Sequence, residues 1–157
     1  IALLHKPAVI IADEPTTALD VSIQSQILAE VRRLADQTGT AFVWVTHDLS
    51  VVSSLADDIA VMYAGRIVES GETGAVLAHP KHPYTAGLMA SVPSQAERGQ
   101  KLVQIKGSTP SLANLPDGCA FRPRCPRATE ICKTMPALLP LGDTKVRCHH
   151  PILELAS

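Results

Sequence analysis

Two short apolar runs organise the first third of the chain, and each ends in polar chemistry. Ala8-Val9-Ile10-Ile11-Ala12 leads into Asp13, Glu14 and Pro15. A Val/Ile-rich run of this length, bounded by proline, predicts a strand buried on both faces, and Pro15 ends its ladder near Glu14. Ala41-Phe42-Val43-Trp44-Val45-Thr46 predicts a second such strand, followed by His47. Between them Ile23, Ile27, Val31 and Leu34 recur at helical spacing. Leu28 and Ala35 widen the apolar face, and Arg32, Arg33 and Asp36 lie on the wet side. Asp20 suits the N-cap of this helix and Gly39 its C-cap. Strand, helix, strand in this order predicts a right-handed βαβ unit with parallel strands. Parallel strands share one carboxyl edge, where open α/β sheets take their ligands, so Asp13, Glu14 and His47 should stand along it.

The pattern then changes character. Asp48 reads as the N-cap of a helix from Leu49 to Leu55. Ile59 to Tyr63 and Arg66 to Glu69 flank Ala64-Gly65 and predict a hairpin that extends the sheet edge, with Asp57 and Asp58 as a solvated break before it. Glu72 to Ala78 reads as a short helix. From Pro80 onward lie ten of the 12 prolines and all four cysteines, which sets a boundary near His79. The expected domains are residues 1–78 and 79–157. Pro83 suits the first position of a helix running through Leu88 and Met89. His79 and His82 read as linker residues before prolines rather than as metal ligands. Residues 95–106 are polar and charged, and Gly107 to Leu112 opens an irregular stretch.

Composition adds exclusions. The chain has 157 residues, is 46% hydrophobic and carries a formal charge of -1, which gives no electrostatic footprint for nucleic acid. No apolar run approaches the roughly 20 residues of a membrane helix. Nothing matches the phosphate loop G-x-x-x-x-G-K-[ST]. The chain opens on Ile1 and enters at once on Ala2-Leu3-Leu4, which reads as the last turn of a helix, residues 1–6, and as the C-terminal portion of a longer protein.

Two acids at a strand end suit nucleotide hydrolysis: one holds the Mg²⁺ that bridges two phosphates, and the other takes a proton from the attacking water. A lone Asp-Glu pair would equally well end a strand in solvent. The residues that follow change the odds. Asp-Glu-Pro-Thr-x-x-Leu-Asp, residues 13–20, resembles the Walker B segment and D-loop of ABC-type ATPases. The resemblance implies that Asp13 binds Mg-ATP, that Glu14 is the catalytic base, and that Thr17-Ala18-Leu19-Asp20 contacts a second ATPase, with Asp20 at the dimer contact. Thr46-His47-Asp48 resembles the switch histidine that contacts the γ-phosphate. His-Pro-Tyr-Thr, residues 82–85, resembles the opening of the C-terminal extension of oligopeptide, dipeptide and nickel importer ATPases.

The implied fold is α/β: a partial P-loop NTPase parallel sheet lacking its N-terminal half, followed by a Pro/Cys-rich irregular extension. The implied function is the ATP-binding subunit of an importer, an ATPase when complete and inactive as this segment alone. Its implied partners are a second ATPase subunit, two membrane permease subunits and an extracytoplasmic substrate-binding protein, with no nucleic acid. The implied location is peripheral, on the cytoplasmic face of the inner membrane. The rival is a metal- or cluster-binding regulatory module with an inactive ATPase remnant.

Cys119, Cys125, Cys132 and Cys148 form C-x5-C-x6-C-x15-C, and Gly118 to Pro126 resembles the same importer extension. Disulfides are disfavoured, because an ATP-using chain works in reducing cytosol. Unliganded thiols remain open. Structural Zn²⁺ would take four thiolates, or three with His149 or His150. An iron–sulfur cluster would take four thiolates, and a Cys-Pro step also occurs in ferredoxin runs. Neither spacing rule fits closely. Arg122, Arg124, Arg127, Lys133 and Arg147 would offset the charge of an anionic cluster, which favours iron–sulfur. The resemblance implies a [4Fe–4S] cluster in some members.

Overall fold

A computed structural model describes residues 5–92 and 104–153. It forms two compact units, residues 1–56 and 57–157. The expected helix turn at residues 1–6 falls largely outside the described residues, as does most of the polar segment 95–106.

The first unit runs β1 (Val9–Asp13), α1 (Val21–Thr38), β2 (Ala41–Val45) and α2 (Leu49–Leu55). β1 and β2 are parallel, in register from Val9 opposite Ala41 to Asp13 opposite Val45. α1 starts and stops where its caps dictate. Asp20 accepts the backbone N–H groups of Ser22 and Ile23, each at 3.0 Å, and Gly39 turns left-handed at φ +66° while its N–H bonds the Ala35 carbonyl at 2.9 Å. Ile27, Leu28, Val31, Leu34 and Ala35 form the half-buried face of α1, and Ile23 alone of the expected apolar stripe is exposed. Arg32 ties α1 to the end of α2, its guanidinium donating to the Leu55 carbonyl at 3.0 Å.

The strands are not buried on both faces as their composition predicts. Ile10, Ala12, Phe42 and Trp44 are half-buried. Val9, Ile11, Val43 and Val45 share the other face and are 46–73% exposed. A strand buried on both sides needs cover on both, and within this unit the alternation shows cover on one side only.

The second unit runs β3 (Asp58–Tyr63), β4 (Arg66–Glu72), α3 (Thr73–Ala78), α4 (Pro83–Ala90), three single-turn 3₁₀ segments, β5 (Leu139–Leu141) and β6 (Thr144–Val146). The expected hairpin is β3–β4, turning through Ala64 and Gly65, both at positive φ, as its strands' twist demands. It does not extend the parallel pair. It belongs to a separate antiparallel sheet of order β3-β4-β6-β5, in which Glu69, Ser70 and Gly71 pair with residues 144–146. This pairing carries the hairpin into the compact unit of the cysteine-rich segment, so the units divide between Ala56 and Asp57, ahead of the change in composition near His79.

Val61, Tyr63, Val68, Val76, Ala120 and Phe121 form the core of this unit. Tyr63, Tyr84 and Phe121 meet at ring-centroid distances of 4.6–5.5 Å in edge-to-face and tilted pairs. Fully buried Glu69 accepts the backbone N–H groups of Lys81 and His82 at 2.7 and 2.9 Å, which anchors the start of α4 to β4. No helix among the described residues is long and apolar enough to cross a membrane.

Candidate active site

The carboxyl ends of β1 and β2 bring the first group of predicted residues together. Glu14 continues the ladder one step past β1, its N–H donating to the Val45 carbonyl at 2.9 Å. Its backbone then turns into the left-handed region at φ +48°, and Pro15 prevents any further ladder. The side chain is thereby directed to His47, two residues beyond β2, whose Nδ1–H donates to Glu14 Oε1 at 2.7 Å. Asp13 ends β1 opposite Val45 on the exposed face, next in the chain to Glu14. Asp20 is not drawn into this group. Its carboxylate is occupied as the cap of α1 and also accepts the Ser22 hydroxyl at 2.7 Å.

Electrostatics follow the hydrogen bonds. The Thr17 hydroxyl and then the His47 imidazole hold the Glu14 carboxyl below its ordinary range. Glu14 in turn raises His47, through the hydrogen bond and then through charge. The His47 side chain is 75% exposed, so solvent screens this pair heavily. The arrangement offers a carboxylate able to accept a proton, an imidazole whose Nδ1 is engaged and whose Nε2 is open to a second partner, and an adjacent acid, Asp13, able to hold a hard divalent cation through oxygen.

The resemblance places Thr17 in the turn toward a second ATPase and does not link it to Glu14. Its hydroxyl donates to Glu14 Oε2 and its N–H to the Glu14 carbonyl at 3.3 Å, closing the turn that Pro15 opens. A threonine three residues after the acid, across a proline turn, was the available signal.

The four cysteines form a separate group in the second unit. All four are reduced. The Cys119 N–H bonds the Cys132 carbonyl at 3.0 Å. At one sulfur a backbone N–H is in place, that of His150 on Cys148 at 3.3 Å. Burial raises the thiols of Cys119 and Cys125 and pushes Cys148 up to about 11. Cys148 also lies within electrostatic reach of the other three. The donors therefore suit a thiolate-ligated metal in kind, and one amide N–H, that of His150, meets a sulfur. They are not arrayed as ligands: among the described residues no three His, Cys, Asp or Glu side chains stand close enough to hold one ion.

The histidine alternatives are engaged elsewhere, His149 with the Thr134 carbonyl at 3.0 Å and His150 with the Thr129 hydroxyl at 2.6 Å. The expected cationic surround is also reduced. Arg124 clamps the carbonyls of Ile105 and Lys106, Arg147 those of Ile67 and Pro136, and Lys133 pairs with Glu130. Arg122 and Arg127 remain beside Cys119 and Cys125.

Comparison with known proteins shows what the chain is similar to. Residues 68–132 match the oligopeptide/dipeptide transporter, C-terminal region. With the similarity of the whole chain, this makes the chain similar to the C-terminal part of the ABC-type ATP-binding proteins of oligopeptide and dipeptide transport. Among individual relatives, the "Probable D,D-dipeptide transport ATP-binding protein DdpD" of Escherichia coli is 49% identical over 148 residues, covering 94% of this chain and 45% of the relative. The oligopeptide transport ATP-binding protein OppD of Salmonella typhimurium is 45% identical over 155 residues, covering 98% and 46%. OppD of Escherichia coli is equally similar, at 45% identity over 155 residues. The chain spans about half the length of the curated relatives it matches.

Proposed function

We propose that this chain supplies the hydrolytic corner of the ATP-binding subunit of an ABC importer for oligopeptides, dipeptides or a related solute such as nickel. The observation that carries the reading is the Glu14–His47 contact across the carboxyl edge of β1 and β2. In this reading Glu14 is the base: a water facing the carboxylate loses its proton to it as oxygen attacks the γ-phosphate. His47, with Nδ1 engaged by Glu14, turns Nε2 toward that phosphate. Asp13 would hold Mg²⁺, which when bound neutralises charge between the β- and γ-phosphates. Asp20 and the turn before it would contact a second ATPase subunit.

The further partners are two membrane permease subunits and an extracytoplasmic substrate-binding protein. The subunit would be peripheral, on the cytoplasmic face of the inner membrane. The transport roles in the relatives' names favour this reading over an ATPase remnant kept as a regulatory module. The test is uptake of a radiolabelled dipeptide by the complete transporter in vesicles. Glu14→Gln should stop uptake while ATP binding survives; uptake at the wild-type rate would refute the assignment.

For Cys119, Cys125, Cys132 and Cys148 we propose a structural [4Fe–4S] cluster, with Zn²⁺ as the alternative. The four thiols themselves, the His150 N–H on the Cys148 sulfur and the two nearby guanidinium groups support this. Binding would require the raised thiols to give up their protons and to close in from their present positions. Metal and sulfide analysis of the complete subunit, purified without oxygen, distinguishes the cases. Iron and sulfide at about four each per chain are expected. Zinc without iron supports the alternative, and no metal leaves four thiols.

A further inference from the structure

The Glu14 carboxylate is held at both oxygens by groups from two different segments. His47 holds Oε1 at 2.7 Å, and the Thr17 hydroxyl holds Oε2. Thr17 grips Glu14 a second time through the main chain, its N–H donating to the Glu14 carbonyl at 3.3 Å. The terminal torsion of a glutamate is broad, so a carboxylate anchored at one oxygen still swings about that anchor. Anchored at both, it has one plane. A carboxylate offers about four acceptor sites, so two bonds orient it without exhausting its capacity to accept a proton. The backbone of Glu14 also needs support: φ +48° is disfavoured for a residue with a Cβ, and the turn closed by Thr17 maintains it.

We propose that Thr17 is a positioning residue for Glu14, setting the plane of the carboxylate from the turn that leads into α1. The proposal rests on the reading of Glu14 as base, and Thr17 acts on the hydrolytic step through Glu14. The turn continues through the Leu19 N–H to the Thr16 carbonyl at 3.1 Å and ends at the Asp20 cap. The plane of the carboxylate is thus set by the same few residues that start the helix.

The experiment uses the full-length subunit. Thr17→Val keeps the shape and the backbone N–H but removes the hydroxyl, and Thr17→Ser keeps the hydroxyl. Misorientation of a catalytic group costs on the order of tenfold to a hundredfold in rate, so Thr17→Val should lower kcat about tenfold with KM for ATP and ATP affinity unchanged. Thr17→Ser should recover to within about twofold, and Thr17→Val should add nothing in a Glu14→Gln background, because the two act as a unit. A wild-type kcat in Thr17→Val, equal losses in the Val and Ser variants, or additive losses with Glu14→Gln would each overturn the role of Thr17. If Glu14→Gln is inactive while Thr17→Val is normal, only the positioning role falls. If Glu14→Gln hydrolyses ATP normally, the base assignment falls and takes this proposal with it.

Discussion

His82 illustrates how much one residue does that its sequence context conceals. Beside prolines it reads as a linker, yet it is 1% exposed. Its Nδ1 accepts the Tyr84 N–H at 3.0 Å and caps α4, so the proton sits on Nε2, facing the apolar interior near Phe121. Burial lowers its pKa to about 4. The sign follows directly. The unfolded chain binds a proton near pH 6.5 and the folded chain does not, so folding is favoured in full above 6.5 and weakened as pH falls toward 4. The upper limit is about 1.4 kcal/mol per pH unit across that window, about 3 kcal/mol in all. Thermal denaturation of the subunit between pH 4 and 7.5 should show this loss, and His82→Asn, which keeps a cap, should flatten it. An unchanged slope in His82→Asn would show that His82 is not the group responsible. Glu69 and Thr17 share the lesson: a buried acid on a predicted strand and a polar turn residue reveal their partners, at 81–82 and at 14, only once the chain is folded.

At the scale of elements, local signals were legible and distant ones were not. The Asp20 and Gly39 caps, the period of α1, the Ala64-Gly65 turn and Pro83 at the start of α4 each depend on a few adjacent residues, and each element formed where expected. The partnership of β4 with β6 joins residues more than 70 positions apart, and strand period carries no information about such a partner. β5 and β6 escaped notice because each is three residues long and Pro140 breaks the pattern, as suits an edge strand. A glycine-bearing turn at Gly142-Asp143 was the available signal.

Two predictions belong here. Asp20→Ala should cost the helix about 1 kcal/mol, measured by denaturant unfolding, whereas Asp20→Asn should cost little. If Asp20→Asn nonetheless slows hydrolysis in the complete subunit, the carboxylate has the proposed dimer role besides its cap. Gly118 has φ +75°, and an added Cβ would lie 2.3 Å from the Lys133 carbonyl carbon. Gly118→Ala should therefore destabilise the cysteine-rich segment by more than about 2 kcal/mol, and faster amide exchange around residues 119–133 would report it. Exchange at the wild-type rate would contradict the close approach.

At the scale of the molecule, the predicted carboxyl edge formed, while within the first unit its strands are covered on one face. Parallel strands of Val and Ile imply burial on two sides, and this chain spans about half of its relatives' length. Val9, Ile11, Val43 and Val45 are exposed. Residues 1–157 alone should bind ATP very weakly, because Asp13, Glu14 and His47 would, in the proposed reading, address only the γ-phosphate end and no phosphate loop is present in this sequence. Isothermal titration measures this, and tight binding would contradict it. The central claim concerns Glu14, and the most direct measurement is hydrolysis by the complete subunit with Glu14→Gln, followed in a single turnover with the bound nucleotide identified afterwards. Loss of a general base predicts a rate lower by about 10²–10⁴ with ATP retained unhydrolysed. Release of phosphate at the wild-type rate, with ADP as the bound nucleotide, would contradict the account.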